Sequence, residues 1–158
     1  MSGASGFHIA EVNIGRLLAP VDHPRMAEFR NALDRINALA DAQPGFVWRL
    51  VGAGNDATDL RPDPADALEA INASVWESID HLTAFAYRSE HTAFVRRRLE
   101  WFEPPSRAYL ALWWVPAGHT PSMAECLDRL AHMRANGPGA YAFDFRTRFP
   151  APAAESAA

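Results

Sequence analysis

The 158-residue chain reads as a single α+β domain on a split βαβ plan, with an antiparallel sheet. Two patterns and one composition fact predict this. Stretches that alternate with period two are interleaved with stretches that repeat at helical spacing, in the order strand, helix, strand, strand, helix, strand, with a helix and a strand appended. Pro and Gly punctuate the joins. Apolar residues make up 49% of the chain and charged residues 22%, which at this length gives one sizeable core and places the ordered domain at residues 7–150. Disorder is expected only at 1–6 and 151–158.

Phe7 to Ile14 alternate as a strand, with His8, Ala10, Val12 and Ile14 on one face and Phe7, Ile9, Glu11 and Asn13 on the other. After a loop at Pro20–Pro24, Met26, Phe29, Leu33, Ile36 and Ala40 recur at helical spacing until Pro44-Gly45 stops the pattern. Phe46 to Val51 is a short strand. Gly52 to Ala67, rich in Gly, Asn, Asp and Pro, reads as a long exposed loop, and Ile71 to Trp76 resumes as a strand. Ser78 is an N-cap for a helix carrying Leu82, Phe85 and Ala86, and Ser89 caps a second that runs to about Phe102, the two being separate or one kinked helix. Beyond Pro104-Pro105, Ala108 to Val115 is a dense apolar strand. Thr120-Pro121 opens a helix ending near Gly137, and the tail reads as a strand with Tyr141, Phe143, Phe145 and Phe149 on one face.

This is the ferredoxin-like order, in which one sheet face carries the helices. The other face, rich in tryptophan, then exposes too large an apolar patch for a monomer, so a homodimer with sheets packed face to face is expected. Trp48, Trp76, Trp113 and Trp114 lie on strands, and the neighbours Trp113 and Trp114 must point to opposite faces, one to the helices and one to the partner.

Composition excludes several function classes. The net charge of −4 gives no electrostatic reason to expect nucleic acid or an anionic membrane. All 15 basic residues are arginines, so Schiff-base chemistry, pyridoxal phosphate anchoring and a P-loop lysine are impossible. The lone Cys126 forbids an intramolecular disulfide and suits a reducing compartment. With neither a leader-like start nor an 18-residue apolar run, the expected location is cytoplasmic. The six histidines are scattered without HxH or HExxH spacing, and there is no GxSxG, GxGxxG or Walker sequence, so no metal and no nucleotide cofactor is expected.

The chemistry-bearing side chains concentrate in Ser74–Phe102. Tyr87, His91, Phe94, Arg98 and Trp101 are spaced four, three, four and three apart and share one face of a continuous helix. A histidine beside a tyrosine and an arginine can bind an anionic or phenolic ligand and move a proton near neutrality. Three consecutive arginines, Arg96 to Arg98, span too wide an arc for one ligand, so the run includes solvated residues able to pair with Glu100 and Glu103. Cys126 reads as a small buried residue rather than a nucleophile.

The segments HIAEVNIGRLLAP, PGFVWRL, SVWESIDHLTAFAYRSEHTAFVRRRLEWF and LALWWVPAGHTPSMAECLDRL resemble a bacterial family catalogued as a domain of unknown function. That family is similar in fold to the antibiotic-biosynthesis monooxygenases and other dimeric α/β-barrel proteins. The resemblance covers about residues 7–150 and implies a dimeric α/β barrel with a cavity between sheet and helices. The superfamily includes cofactor-free oxygenases, haem-binding enzymes and isomerase-like lyases, so the reaction stays open.

The first expectation is therefore a small-molecule enzyme of secondary or catabolic metabolism. It acts without nucleotide cofactor on an apolar or aromatic carbonyl compound, by monooxygenase, isomerase or cyclase chemistry. His91 is the expected proton carrier, with Tyr87 and Asn13 beside it in the catalytic group. Trp48, Arg49, Trp76, Glu77, Phe94, Arg98, Trp113 and Trp114 are the expected substrate-binding residues. The alternatives are a haem- or ligand-binding module with His91 as axial ligand, and a structural homodimer without catalysis.

Overall fold

The computed structural model describes residues 6–89 and 91–152. The ends expected to be disordered fall largely outside them. The strands β1 (Phe7–Arg16), β2 (Phe46–Arg49), β3 (Glu69–Trp76) and β4 (Leu110–Pro116) form one sheet of order β2-β3-β1-β4, antiparallel throughout. The helices are α1 (Ala27–Asp41), α2 (Ile79–Arg88), α3 (His91–Arg96) and α4 (Met123–Asn136). This is the α+β split βαβ arrangement read from the sequence, with α4 appended.

Period-two alternation on β1 sorts the sheet into two faces. Ile9, Glu11, Asn13 and Gly15 pair across β3 with Trp76, Ser74, Asn72 and Ala70, and the first three pair across β4 with Trp114, Leu112 and Leu110. This first face packs on Ala40 of α1 and on Leu82 and Phe85 of α2. On the second face Ala10, Val12, Ala73, Val75, Trp113 and Val115 pack on Cys126, Leu130 and Met133 of α4.

The expectation that only one face carries helices is thereby corrected. The turn at Gly118 (φ +93) returns the chain under the sheet, and the four- and three-residue spacing of Cys126, Leu130 and Met133 gives α4 an apolar stripe that covers the face expected at a partner. The sheet itself no longer requires a homodimer. Trp113 is fully buried there, donating its Nε1–H to Glu125 Oε2 at 2.9 Å.

Helix ends follow local chemistry. Ser78 Oγ accepts from the His81 amide and starts α2 as expected. α4 begins at Ser122 rather than Thr120, because Ser122 Oγ accepts the Glu125 amide at 3.1 Å. The helix expected to reach Phe102 ends at Arg96 and gives way to a 3-10 turn over 98–100. The expected tail strand reduces to a single bridge, Leu112 with Phe143, beside which Trp114 Nε1 donates to the Phe149 carbonyl. Gly45 is required where it stands: its φ is +82, and a Cβ there would lie 2.2 Å from His81 Cγ.

Candidate active site

Between the first face of the sheet and α1, α2 and α3 lies a cavity of about 300 Å³, at the small end of the range for ligand pockets. Its lining is mostly apolar, with Phe29, Leu33 and Ile36 from α1, Leu82 and Phe85 from α2, and Phe94 and Trp101 from the segment after it. Phe94 stacks on Trp101 at 5.7 Å between ring centroids. Asn72, Tyr87 and Val95, all exposed, open the cavity to solvent.

The floor is polar at one place. Glu11 stands at the centre of β1, where alternation and the Glu11–Ser74 pairing point its side chain at α1 and α2, and only 5% of it is exposed. Asn13 Nδ2 donates to Glu11 Oε2 at 3.1 Å and Ser74 Oγ donates to Oε1 at 3.2 Å. Behind Ser74, Trp76 Nε1 donates to its Oγ at 2.9 Å and fixes the hydroxyl. Burial penalises the carboxylate more than these two hydrogen bonds favour it, so the Glu11 carboxyl is raised from 4.5 to about 7. A carboxyl that titrates there can take or give a proton at neutral pH.

His91 opens α3 and lines the same cavity. Its ring lies 4.8 Å from that of Phe85, which is stacked on Trp76 at 5.2 Å. Its buried Nδ1 has no hydrogen-bond partner. Burial lowers its affinity for a proton, against an opposing effect of the Ala86 backbone, and so favours the neutral imidazole. A neutral imidazole in the cavity wall can orient a hydroxyl or carbonyl of a ligand through its other ring nitrogen.

Of the residues singled out in the sequence, Asn13, Tyr87, His91, Phe94, Arg98 and Trp101 line the cavity. They do so without the continuous helix assumed for them, since Ser89 is extended (φ −129, ψ −178) and separates α2 from α3. The remaining candidates lie outside the lining. Trp76 stands behind it, 1% exposed, and Glu77 is on the surface with its amide on the Gly45 carbonyl. Trp48 and Trp113 belong to the second face, and Trp114 packs against the tail. Arg49 holds the 52–67 loop instead of a ligand, binding Asp41 at 2.8 Å on one side and the Asn55 carbonyl at 2.6 Å on the other. That loop contributes Asp56, Thr58 and Arg61 to the cavity wall.

The sequence reading passed over Glu11 and Ser74. A signal was present: Glu11 is the one charged residue in the strand between Phe7 and Gly15, flanked by Ala10 and Val12. Such a position is either a surface face or a buried functional carboxyl. Cys126 is fully buried on the sheet-facing side of α4 with its thiol pushed up to about 12, which suits packing rather than nucleophilic attack. Among the described residues no group of three or more His, Cys, Asp or Glu is placed to hold a metal ion, and no helix is long and apolar enough to cross a membrane.

The chain belongs to the family described as Domain of unknown function (DUF3291), whose model matches residues 8–158. No curated protein matches it. Among solved structures it is similar to SnoaB, a cofactor-independent oxygenase from Streptomyces nogalater, at 19% identity over 72% of this chain and 95% of that one, with a TM-score of 0.47. It is also similar to Rv0793 from Mycobacterium tuberculosis, at 16% identity over 73% and 99% of the two chains, with a TM-score of 0.46. A third is the ActVA-Orf6 monooxygenase of Streptomyces coelicolor in complex with nanaomycin D, at 17% identity over 75% and 94%, with a TM-score of 0.40.

Proposed function

We propose that this member of the family is a small-molecule enzyme that uses Glu11 to abstract and return a proton on an apolar or aromatic carbonyl compound, without a nucleotide cofactor. The observation that carries the reading is a buried carboxyl, held by Asn13 and Ser74, at the floor of an aromatic-lined cavity. The proton-carrying role, expected of His91, passes to Glu11. Of the two, Glu11 is the group raised to about 7, while His91 is held neutral.

In its ionised form Glu11 removes a proton from the carbon next to the substrate carbonyl and becomes the neutral acid. The resulting enolate is stabilised by hydrogen bonds from Asn13 and the neutral His91, and the apolar walls keep bulk water from quenching it. Tyr87 at the mouth and Phe94 in the wall orient the ring of the substrate. Oxygenation, isomerisation and cyclisation share this first step, so the proposal concerns the step and leaves the later fate of the enolate to the substrate.

The test is hydrogen–deuterium exchange at the α-carbon of 2-tetralone in D₂O, followed by NMR. Wild-type protein accelerates exchange, with a rate that climbs as the pH passes through about 7, and Glu11→Gln lowers it by about a hundredfold or more. Exchange at the buffer rate with wild type, or equal exchange with the variant, rejects the reading.

A further inference from the structure

We propose that the cavity contains an anion subsite at Arg98, and that its substrate is an aromatic or cyclic organic carboxylate whose charged end docks there. The inference rests on the reading of the cavity as a small-molecule site and adds the class of molecule it takes.

Arg98 begins the 3-10 turn over 98–100 and is partly buried in the cavity wall. Its guanidinium carbon lies 4.7 Å from the centroid of the Tyr109 ring and 5.5 Å from that of Phe102. The place of Phe102 is itself built: Gly15 on β1 leaves the space, since a Cβ there would fall 2.5 Å from Phe102 Cδ1. The two rings hold the cation while offering it no acceptor in the plane of its N–H groups. Its Nε is buried without a hydrogen-bond partner, and the guanidinium makes no ion pair among the described residues.

Arginines nearby are satisfied. Arg97 reaches Glu28 at 2.6 Å and Glu100 at 2.7 Å, Arg16 reaches Asp66 at 2.7 Å, and Arg61, also in the cavity wall, gives Nη1 to the Thr58 carbonyl at 2.7 Å. A cation in a cavity wall without an ion-pair partner attracts a counter-charge, so Arg98 favours an anionic ligand.

The planar cation selects the ligand chemistry. The two terminal Nη groups of a guanidinium form a fork that two oxygens of a carboxylate meet with parallel hydrogen bonds, whereas a neutral amide brings one acceptor and a donor that faces the wrong way. Glu11 does not serve as that partner, because its oxygens are taken by Asn13 and Ser74. Its own negative charge repels a carboxylate from the floor of the cavity. Attraction at Arg98 and repulsion at Glu11 therefore orient the ligand with its acid at the wall and its reactive carbon toward the floor. The stacked Phe94 and Trp101 rings between the aromatic walls suit a flat ring system, and the cavity of about 300 Å³ limits it to a small one.

Isothermal titration with 2-naphthoate and its neutral isostere 2-naphthamide tests this on the wild-type protein. The carboxylate is expected to bind at least about tenfold tighter than the amide, and Arg98→Met, which keeps the apolar stem, brings the two affinities level. Arg98→Lys, which keeps the charge and loses the fork, recovers part of the preference. Equal affinity of the two compounds for wild type, no binding of either, or a preference that survives in Arg98→Met overturns the subsite. The Glu11 reading fails or stands separately: in Glu11→Gln the naphthoate preference persists while α-proton exchange is lost, and a naphthoate preference with exchange unaffected by Glu11→Gln rejects the proton carrier alone.

Discussion

Replacing Glu11 by Gln should make the protein more stable at alkaline pH and leave it nearly unchanged at acid pH. Folding raises this carboxyl from 4.5 to about 7, so the folded state holds its proton more tightly than the unfolded chain. Below the unfolded value the group is neutral in both states and carries no penalty. As the pH rises through the window between them the unfolded chain ionises first, and stability falls by about 1.4 kcal/mol per pH unit. Above about 7 both states are ionised and the loss is complete, at about 3 kcal/mol. Solvent screening takes little from this figure, because Glu11 is only 5% exposed. Gln copies the neutral acid: its carbonyl accepts from Asn13 and its amide donates to Ser74 Oγ, which already accepts from Trp76. Urea unfolding of both proteins between pH 4.5 and 9 reads the effect. The variant should gain about 3 kcal/mol over wild type at pH 8 and close to nothing at pH 4.5. A difference that does not change with pH would refute the placement of Glu11 as a buried, raised carboxyl.

Gly15→Ala forces Phe102 off its seat, costing about 1–3 kcal/mol in a urea melt and lowering the naphthoate-over-naphthamide preference set by Arg98; an undisturbed preference would show that Phe102 does not position the cation. Leu130→Ala, at 1% exposure beneath the sheet, should cost about 2–5 kcal/mol, and a loss under about 0.5 kcal/mol would mean that α4 does not cover the second face. Arg49→Ala releases the tie between Asp41 and Asn55, so limited proteolysis should cut within residues 52–67 several times faster than in wild type, with equal cutting counting against the clamp.

Much of the fold was legible because strands and helices announce themselves by period. The alternation from Phe7 to Ile14 and the three-four spacing of Met26 to Ala40 require no tertiary knowledge. What the sequence did not show was which sheet face each helix covers. The stripe Cys126, Leu130 and Met133 marks α4 as amphipathic, but only the turn at Gly118 decides that it swings beneath the sheet and removes the open face that argued for a partner. The tail mimicked a strand because Tyr141, Phe143 and Phe145 alternate, yet Phe143 alone bridges to β4 while Phe145 turns to the aromatic cluster around Tyr87.

The candidate site was half legible for a related reason. Helical spacing brought Tyr87, His91, Phe94 and Arg98 to one cavity even though the chain breaks at Ser89, since α3 and the 3-10 turn continue around the same wall. The tryptophans were misplaced because aromatic bulk marks burial equally on both faces of a sheet. Glu11 was passed over because a single charge in a strand has the same sequence signature whether its face meets water or a cavity, and its hydrogen bond to Ser74 spans 63 residues of chain.

The proposed chemistry turns on the protonation state of one carboxyl, and the direct measurement is its titration by carbon-13 NMR in protein labelled at the glutamate side-chain carboxyl, with Glu11 assigned by the loss of its signal in Glu11→Gln. A midpoint near 7 is the predicted result. A midpoint in the ordinary range near 4.5 would contradict it and remove Glu11 as the proton carrier.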